Sequence, residues 1–358
     1  TPPEMGARDA YIFNRLSQVG LSPYRLHCGC RFVDGCGPCL GRVCHADCKR
    51  HAANSFLLAN TAANIALLSD TTVLRLNANS QAVVSATANT DGVTHEVKAD
   101  AFILAASSYF SPALLLKSSS EDWPDGLANR HDQVGRNLMF HAGRSLAIWA
   151  KSGLTNHPPS KSIVIRDFYD APGGPYGEIQ STGAEAAYGN LVYALRQQLE
   201  TSRWSRTPLL SEFTRVPAMI ASKLLGNAAI FEMIVEDFPY PENRVTIDGG
   251  ASSGVHFEYT IPAELKSRFD QFSRLVDQRL KGVRRYWLSS GVRLNYGHPA
   301  GTCRMGIDPA NSVVDANGAA HGLCNLYVAD GSALPVSGGT NPSLTIAANA
   351  LRIGALVR

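Results

Sequence analysis

The amino-acid sequence predicts a mixed α/β fold in which strands and amphipathic helices are spread along the whole chain. Apolar residues alternate with polar ones over 71–99, which is typical of a small antiparallel meander. They recur at helical spacing over 9–19 and 263–288, and the last predicted helix, which follows Asn341, is almost wholly apolar. A length of 358 residues is enough for about two domains.

The first helix is predicted over 9–19, because Ile12, Leu16 and Val19 then lie on one face. The segment 146–293 mixes strands with helices and is interrupted by loops rich in Pro and Gly. The other predicted elements are, in order, a cysteine-rich loop at 28–48, a helix at 54–62, strands at 71–76, 82–86 and 93–99, a strand, turn and helix over 101–117, and helices at 218–225 and 263–288.

Two motifs near the C-terminus carry the residues most suited to chemistry. The first is H-P-A-G-T-C-R-M-G at 298–306, and the second is V-S-G-G-T-N-P-S at 336–343. Asn341 and Pro342 are suited to the N-cap and the first position of the final helix. That helix is expected to be buried, and its first turn would present N–H groups and a positive dipole end to an anionic ligand.

These residues resemble the C-terminal signature of the glucose–methanol–choline (GMC) family of FAD-dependent oxidoreductases, most closely its bacterial alcohol, sugar and sterol dehydrogenase-like members. The resemblance implies a GMC-type FAD-binding domain together with a substrate domain built on an antiparallel sheet. It implies that His298 is the catalytic base and that Asn341 is its partner. The reaction expected is oxidation of an alcohol-type CH–OH group, with hydride transfer to the flavin N5.

The resemblance also implies which residues contact the FAD. Asp330 and Gly331 would touch its ribityl or pyrophosphate part, and Asn341 and Pro342 would lie near the isoalloxazine ring. The full set of implied cofactor-binding residues is Val73, Ala105, Asp330, Gly331, Asn341 and Pro342.

A discontinuous FAD-binding domain follows from the same resemblance. Residues 1–140 would form its first part, 141–295 the substrate-binding domain, and 296–358 the return to the FAD-binding domain. The stretch 236–247 resembles the start of a long strand of the substrate domain. The G-x-G-x-x-G fingerprint of a dinucleotide-binding βαβ unit is absent from the sequence, so the FAD-binding domain is expected to be incomplete. A second polypeptide or a missing segment would supply the other half.

The cysteine-rich loop permits three interpretations. Six of the eight cysteines lie within 28–48, and Cys36, Cys39, Cys44 and Cys48 form the candidate metal-binding set. The thiolates could hold an iron–sulfur cluster or a structural zinc ion, because short cysteine spacings suit both. They could instead form disulfides in an exported protein, so the state of these cysteines decides between a cytoplasmic and a periplasmic or secreted location.

Composition limits the partners. A net charge of only +3 gives no support for binding to nucleic acid or to an anionic membrane surface, and no apolar run is long enough to span a bilayer. Composition therefore predicts a soluble protein, and the resemblance implies a small-molecule alcohol as its substrate. The resemblance favours a dehydrogenase over an oxidase, and two alternatives stay open: a non-catalytic remnant or assembly subunit, and an FAD-dependent lyase-type member.

Several other residues are expected to have structural roles. His141 is interpreted as a structural histidine, Cys303 as a packing residue, and Arg304 as a brace for its own loop. The substrate pocket is expected to be lined from the middle segment, where the aromatic candidates are Phe168, Tyr169, Tyr176, Tyr188, Tyr193 and Trp204.

Overall fold

The chain folds into two compact units, each built from separate stretches of sequence. The computed structural model describes residues 4–33, 44, 46–57, 65–154, 161–200, 212–247 and 254–357. The first unit comprises 1–64, 143–234 and 270–292, and the second comprises 65–142, 235–269 and 293–358. The mixed α/β class predicted from the sequence is confirmed.

Helices and strands alternate irregularly along the described chain. The helices are α1 (Ala7–Gln18), α2 (Ser107–Lys117), α3 (Tyr188–Glu200), α4 (Arg215–Leu225), α5 (Ala263–Arg279) and α6 (Ser343–Gly354). The strands are β1 (Tyr24–Arg25), β2 (Thr71–Ala78), β3 (Val83–Thr90), β4 (Val93–Val97), β5 (Phe102–Leu104), β6 (Met139–Ile148), β7 (Ile163–Ile165), β8 (Gly177–Glu185), β9 (Ala229–Val235), β10 (Arg244–Ile247), β11 (Val255–Glu258), β12 (Arg285–Trp287), β13 (Arg293–Ala300) and β14 (Leu326–Val328).

The first unit is organised around a sheet with the strand order β1-β7-β8-β9-β6-β12. Strand β7 is antiparallel to both neighbours, with Val164 opposite Tyr24 on one side and Gln180 on the other. Strand β12 pairs antiparallel with β6, which places Tyr286 opposite Ala147. The antiparallel sheet predicted for the substrate domain is confirmed.

Helix α1 buries Ile12 and Leu16 almost completely, as its predicted face requires. The second predicted helix, at 54–62, differs from the expectation. Within the described residues the chain forms a single π-helical turn over Ala53–Leu57, and 58–64 lie outside them.

The second unit contains the predicted meander and a parallel strand pair. Strands β2, β3 and β4 pair in sequence order and antiparallel, which confirms the meander. Strand β5 runs parallel to β14, with Ile103 opposite Tyr327. Helix α2 follows β5 after a short turn, so the predicted strand, turn and helix over 101–117 are confirmed. Because β5 and β14 are parallel, their carboxyl ends meet at one edge, where α/β proteins commonly bind ligands.

Three expectations about individual elements are wrong. Helix α5 ends at Arg279 and does not continue to 288, because Val283 N–H bonds Leu280 O in a turn and Gly282 has a φ of +86°. The stretch 236–247 is extended only from Arg244, since Pro239 and Pro241 cannot donate to a strand ladder.

The final helix is the third case. Within α6 only Ile353 is buried, whereas Leu344 and Leu351 are 81% and 65% exposed. Ile346 adds a partly buried contact to a cluster of Met139, Ala300 and Leu334. The apolar composition of α6 therefore did not predict its burial in this chain.

Over the part of the chain that the structure describes, no helix combines the length and the apolar character needed to cross a bilayer.

Candidate active site

The first C-terminal motif, at 298–306, pairs with the turn that follows β14 in the second unit. Backbone hydrogen bonds run from Gly301 N–H to Gly331 O (3.2 Å), from Cys303 N–H to Ser332 O (2.8 Å) and from Met305 N–H to Ala333 O (3.0 Å). This ladder holds the segment after His298 against the segment that leads to Asn341. Sequence order alone did not require this contact.

Gly301 is the position at which the first motif approaches residues 137–139 most closely. Its φ is +89°, and a Cβ there would collide with the backbone oxygen of Asn137 and the terminal methyl of Met139. Only glycine has neither problem, because it tolerates positive φ and carries no Cβ. The motif therefore packs directly against the start of β6, the strand that carries His141.

His298 is half-buried near the end of β13 and contacts a second histidine. Its Nδ1 lies 2.8 Å from Nδ1 of His141, and the two rings meet edge to face with their centroids 5.0 Å apart. The amide nitrogen of Asn295 lies 3.1 Å from the same His298 Nδ1. A predicted base thus has a hydrogen-bonding partner that the sequence did not reveal.

His141 is 2% exposed, and its other ring nitrogen faces the backbone of the Gly-rich loop. Its Nε2 lies 2.9 Å from Gly338 O and 3.2 Å from Ser337 O. Burial lowers the pKa of His141, although the two carbonyl contacts act in the opposite direction. No local sequence pattern indicated this contact of His141, because its partner is 157 residues away in the chain.

Asp237 is a buried carboxylate that bonds residues next to this pair, and no sequence pattern indicated it. One oxygen accepts from Phe140 N–H (3.0 Å) and Tyr259 O–H (2.7 Å), and the Asp237 backbone N–H donates to Ser337 Oγ (2.8 Å). Burial raises the pKa of Asp237 to about 6, against the lowering effect of these donors. Asp237 thereby connects the residue before His141 with one of the two carbonyl-bearing residues that His141 contacts.

Asn341 and Pro342 lie at the start of α6, close to their predicted positions. The helix begins at Ser343, with Pro342 in the capping position, one residue later than expected. Pro342 already has helical angles (φ −83°, ψ −13°), and its carbonyl accepts from Ile346 N–H at 2.9 Å. Pro342 has no polar side-chain atom and so makes no capping hydrogen bond to the first turn, whose backbone N–H groups point toward the end of the helix.

The other predicted cofactor residues fall into two places. Ala105 follows β5, while Asp330 and Gly331 follow β14, so the three share the edge at which the parallel strands end. Val73 lies instead on the meander strand β2, with 43% of its surface exposed. The structure thus brings three of these residues together and leaves Val73 on a separate sheet.

Asp330 is already engaged by groups of the protein itself. One carboxylate oxygen accepts from Ser107 N–H (2.9 Å) and Ser111 O–H (2.5 Å), and the other accepts from the N–H (2.8 Å) and hydroxyl (2.5 Å) of Ser332. These bonds tie the start of α2 to the turn after β14. A carboxylate repels a pyrophosphate but can accept from ribityl hydroxyls, so the expected contact of Asp330 with FAD stays a prediction. In this chain Asp330 orients its neighbours at the edge.

The residues at this edge fit an FAD molecule. Ala105 and Gly331 are small, and a Cβ on Gly331 would lie 3.3 Å from Ile346 of α6, which brings the final helix next to the strand edge. The first turn of α6 supplies N–H groups and a positive dipole end for an electron-rich ring edge. Ala105, Gly331, Asn341 and Pro342 are therefore the residues of this chain that could hold the cofactor.

The candidate metal-binding cysteines are described only in part. Cys36 and Cys39 lie outside the described residues, so the four-cysteine site stays a prediction. Cys44 Sγ accepts from Cys48 N–H at 3.0 Å, and backbone donors from Cys48 and Lys49 lower the Cys44 pKa to about 7. Across the described ranges, no group of three or more His, Cys, Asp or Glu side chains is suitably placed for a metal ion.

Two of the predicted structural roles near the site are confirmed. Cys303 is completely buried, and burial raises the pKa of its thiol, which suits packing and not nucleophilic chemistry. Arg304 donates to Asn311 O at 2.6 Å and so braces its own loop.

The predicted pocket aromatics are only partly available. Phe168 and Tyr176 are buried against Phe272, Tyr176 stacked with its ring centroid 5.4 Å away and Phe168 tilted at 5.3 Å. They belong to a core of the first unit, so the pocket prediction is wrong for them. Trp204 lies outside the described residues.

Comparison with known proteins gives a consistent family. Models of the N-terminal and C-terminal parts of the same family, both described as GMC oxidoreductase, match residues 18–143 and 259–350. The 6'''-hydroxyparomomycin C oxidase of Streptomyces lividus is 30% identical over 338 residues, which are 88% of this chain and 56% of that protein. The 2-methyl-1,2-propanediol dehydrogenase of Mycolicibacterium austroafricanum is 30% identical over 283 residues, 74% of this chain and 48% of that protein.

Solved structures agree at the level of the fold. The crystal structure of pyridoxine 4-oxidase from Mesorbium loti superposes with a TM-score of 0.66 at 21% identity, covering 99% of this chain and 70% of that one. The chain spans about half the length of the two curated relatives named above. Two matching family models and these relatives show that the chain belongs to the GMC oxidoreductase family.

Proposed function

We propose that this chain is part of an FAD-dependent oxidoreductase that oxidises a CH–OH group of a small alcohol, with His298 as the base. The observation that carries the proposal is the pairing of His298 with buried His141, beside the loop that leads to Asn341 and α6. The relatives' names support the substrate class, since they denote hydroxyl-bearing compounds. Those names include an oxidase and a dehydrogenase. We propose that this enzyme is a dehydrogenase, which passes electrons to an acceptor other than dioxygen.

His298 would remove the hydroxyl proton of the substrate. An imidazole suits this task, because its unperturbed pKa of about 6.5 lies near the working pH of most enzymes. His298 is half-buried, and its orientation is set by the contact of its Nδ1 with Nδ1 of His141 at 2.8 Å. A base held in this way needs little reorganisation when substrate arrives.

Asn341 would stabilise the negative charge that develops on the substrate oxygen. Its carboxamide can donate an N–H to an alkoxide, and such a preorganised contact strengthens as charge develops. The start of α6, one residue beyond Pro342, adds the positive end of a helix dipole. Bound FAD would accept the hydride from the substrate carbon.

The FAD site requires residues beyond those found in this sequence. Ala105, Gly331, Asn341 and Pro342 would form one side of it, and a G-x-G-x-x-G unit, absent from this sequence, would bind the dinucleotide. We therefore propose that another polypeptide or segment supplies that unit. In the complete enzyme, the cysteine-rich loop would hold a zinc ion or an iron–sulfur cluster, or would be closed by disulfides.

The direct test replaces the base in the flavin-bound protein. We expect His298→Ala to slow flavin reduction by alcohol by about two to four decades, the usual worth of general-base catalysis. Stopped-flow absorbance measures the rate. His321→Ala is the matched control, because His321 lies in the same unit and bonds Ser312 Oγ at 2.9 Å, outside the histidine pair. A near-normal reduction rate in His298→Ala would remove His298 from the mechanism.

A further inference from the structure

We propose that His141 is a positioning residue that fixes the tautomer of His298. In this arrangement His141 donates its Nε2–H to the loop carbonyls and accepts a hydrogen bond from Nδ1–H of His298. His298 then presents an unprotonated Nε2 to the substrate. The inference rests on the function proposed above and assigns a role to a residue that sequence analysis interpreted as structural. It concerns which ring nitrogen carries the proton.

The first step is the protonation of His141 at Nε2. Both neighbours of this nitrogen, Ser337 O and Gly338 O, are carbonyl oxygens and can only accept. Nε2 of His141 must therefore carry a hydrogen. In a neutral imidazole the second nitrogen then has a lone pair, so Nδ1 of His141 is an acceptor.

The second step transfers this constraint to His298. The two Nδ1 atoms are 2.8 Å apart, a distance that requires one hydrogen between them. Since Nδ1 of a neutral His141 has no hydrogen, the hydrogen belongs to Nδ1 of His298. The lone pair of neutral His298 is then on Nε2, the nitrogen that a base uses.

The competing arrangement places the shared proton on His141. Asn295 Nδ2 also points at His298 Nδ1, because its Oδ1 accepts from Gly297 N–H at 3.0 Å. If His298 Nδ1 accepted from Asn295, His141 would have to be a doubly protonated cation. His141 is 2% exposed, and burial lowers its pKa, so the neutral form is favoured. Asn295 lies at an exposed position and can donate to water instead.

Asp237 helps to hold His141 in the orientation that this tautomer requires. Its carboxylate bonds Phe140 N–H, and its backbone N–H bonds Ser337 Oγ, so the strand of His141 and the loop that receives its Nε2–H are fastened to one residue. The ring of His141 is therefore held at both ends. Its orientation follows from the main chain, in the way that hydrogen-bonded carbonyls orient metal-bound histidines.

The test reads the tautomer directly and does not need turnover. Long-range proton–nitrogen correlation spectra of protein labelled with nitrogen-15 histidine distinguish Nδ1–H from Nε2–H rings, and loss of signals in His141→Ala and His298→Ala assigns the two residues. We expect His298 to carry its hydrogen on Nδ1 in the wild type and to lose that preference in His141→Ala. His141→Asn should retain it, because the Asn oxygen can take the place of the Nδ1 acceptor. A wild-type His298 with its hydrogen on Nε2 overturns the proposal even if the His141 variants do not fold, because His298→Ala alone assigns the His298 signals.

Kinetics separate this proposal from a purely structural role. We expect His141→Ala to slow flavin reduction between about 10-fold and 10⁴-fold, the span observed when an orienting partner is lost in other sites. His141→Asn should recover most of this loss. If His141→Ala and His141→Asn lower the free energy of unfolding by the same amount and leave the His298 tautomer unchanged, His141 is only structural. Normal flavin reduction in His298→Ala would instead defeat the proposed base while leaving the tautomer assignment intact.

Discussion

Asp237 is the residue whose charge state should be most visible in the stability of the protein. Burial raises its pKa to about 6 from an ordinary value of 3.8, although Tyr259 O–H and two backbone N–H groups act to lower it. The native state therefore holds this proton more tightly than the unfolded chain does. The stability from this group is complete below pH of about 4 and is lost as pH rises through about 6.

We expect Asp237→Asn to remove this pH dependence. Wild type should lose stability relative to the variant between about pH 4 and pH 6, by up to about 3 kcal/mol, because only the wild-type residue must give up its proton there. Urea unfolding of both proteins at several pH values measures the difference. A difference that is constant with pH would show that Asp237 titrates as it does in the unfolded chain.

Asp132 supplies a control of opposite sign. Burial acts to raise its pKa, but the hydrogen bonds and charges of Arg136 and Arg244 outweigh burial and lower it. The stability from Asp132 is thus present above its unfolded pKa and is lost as pH falls. In Asp132→Asn the difference from wild type should therefore change in the opposite direction to that of Asp237→Asn.

At the scale of elements, the motif at 298–306 comes very close to the start of β6. Gly301 combines a φ of +89° with a Cβ position blocked by Asn137, whereas Gly92 has a similar φ of +85° and open space around it. Both glycines lie in the second unit. They separate the energetic cost of a left-handed conformation from that of steric overlap.

We expect Gly301→Ala to lower the free energy of unfolding clearly more than Gly92→Ala. Gly92→Ala should cost about 1–2 kcal/mol from conformation alone, and Gly301→Ala should add about 1–3 kcal/mol from overlap with the start of β6. Denaturant unfolding of the two variants gives the comparison. Equal losses would mean that the strand and the motif separate without penalty.

Local patterns predicted much of the fold, and long-range contacts explain what they missed. The meander at 71–99 and the strand, turn and helix at 101–117 were correct because alternation and helical spacing reflect contacts within each element. The length of α5 was wrong, because Gly282 and the turn at Leu280 interrupt a periodicity that otherwise continues. Burial of α6 depends on what covers it, which its own residues do not encode.

The candidate site shows the same division. The order and spacing of the two C-terminal motifs indicated His298 and Asn341, the residues that the resemblance implies for proton transfer. His141 and Asp237 were not identified, since their partners are 157 and 100 residues away. Their significance comes from burial and hydrogen bonding, which no local spacing encodes.

At the scale of the whole molecule, the proposed FAD site depends on a dinucleotide-binding unit supplied by another polypeptide or segment. The chain spans about half the length of the curated relatives named above, and α6 exposes Leu344 and Leu351. We expect the protein as isolated from its natural source to show the visible absorption of a flavin and to contain polypeptide carrying the dinucleotide-binding unit. Absorption spectroscopy, with mass spectrometry of the released cofactor and of the polypeptides, tests both points. A colourless single chain of 358 residues that does not take up added FAD would contradict the proposal.

The two carbonyls that receive the Nε2–H of His141 belong to Ser337 and Gly338, in the loop immediately before the final helix. A ligand that moved this loop would change the partners of His141 without touching either imidazole. The proton on His298 would then have no fixed position, and proton transfer would slow. In the proposed mechanism, the position of this loop and the protonation of His298 are therefore coupled. A ligand bound at the start of α6 would change the tautomer of the base through main-chain atoms alone.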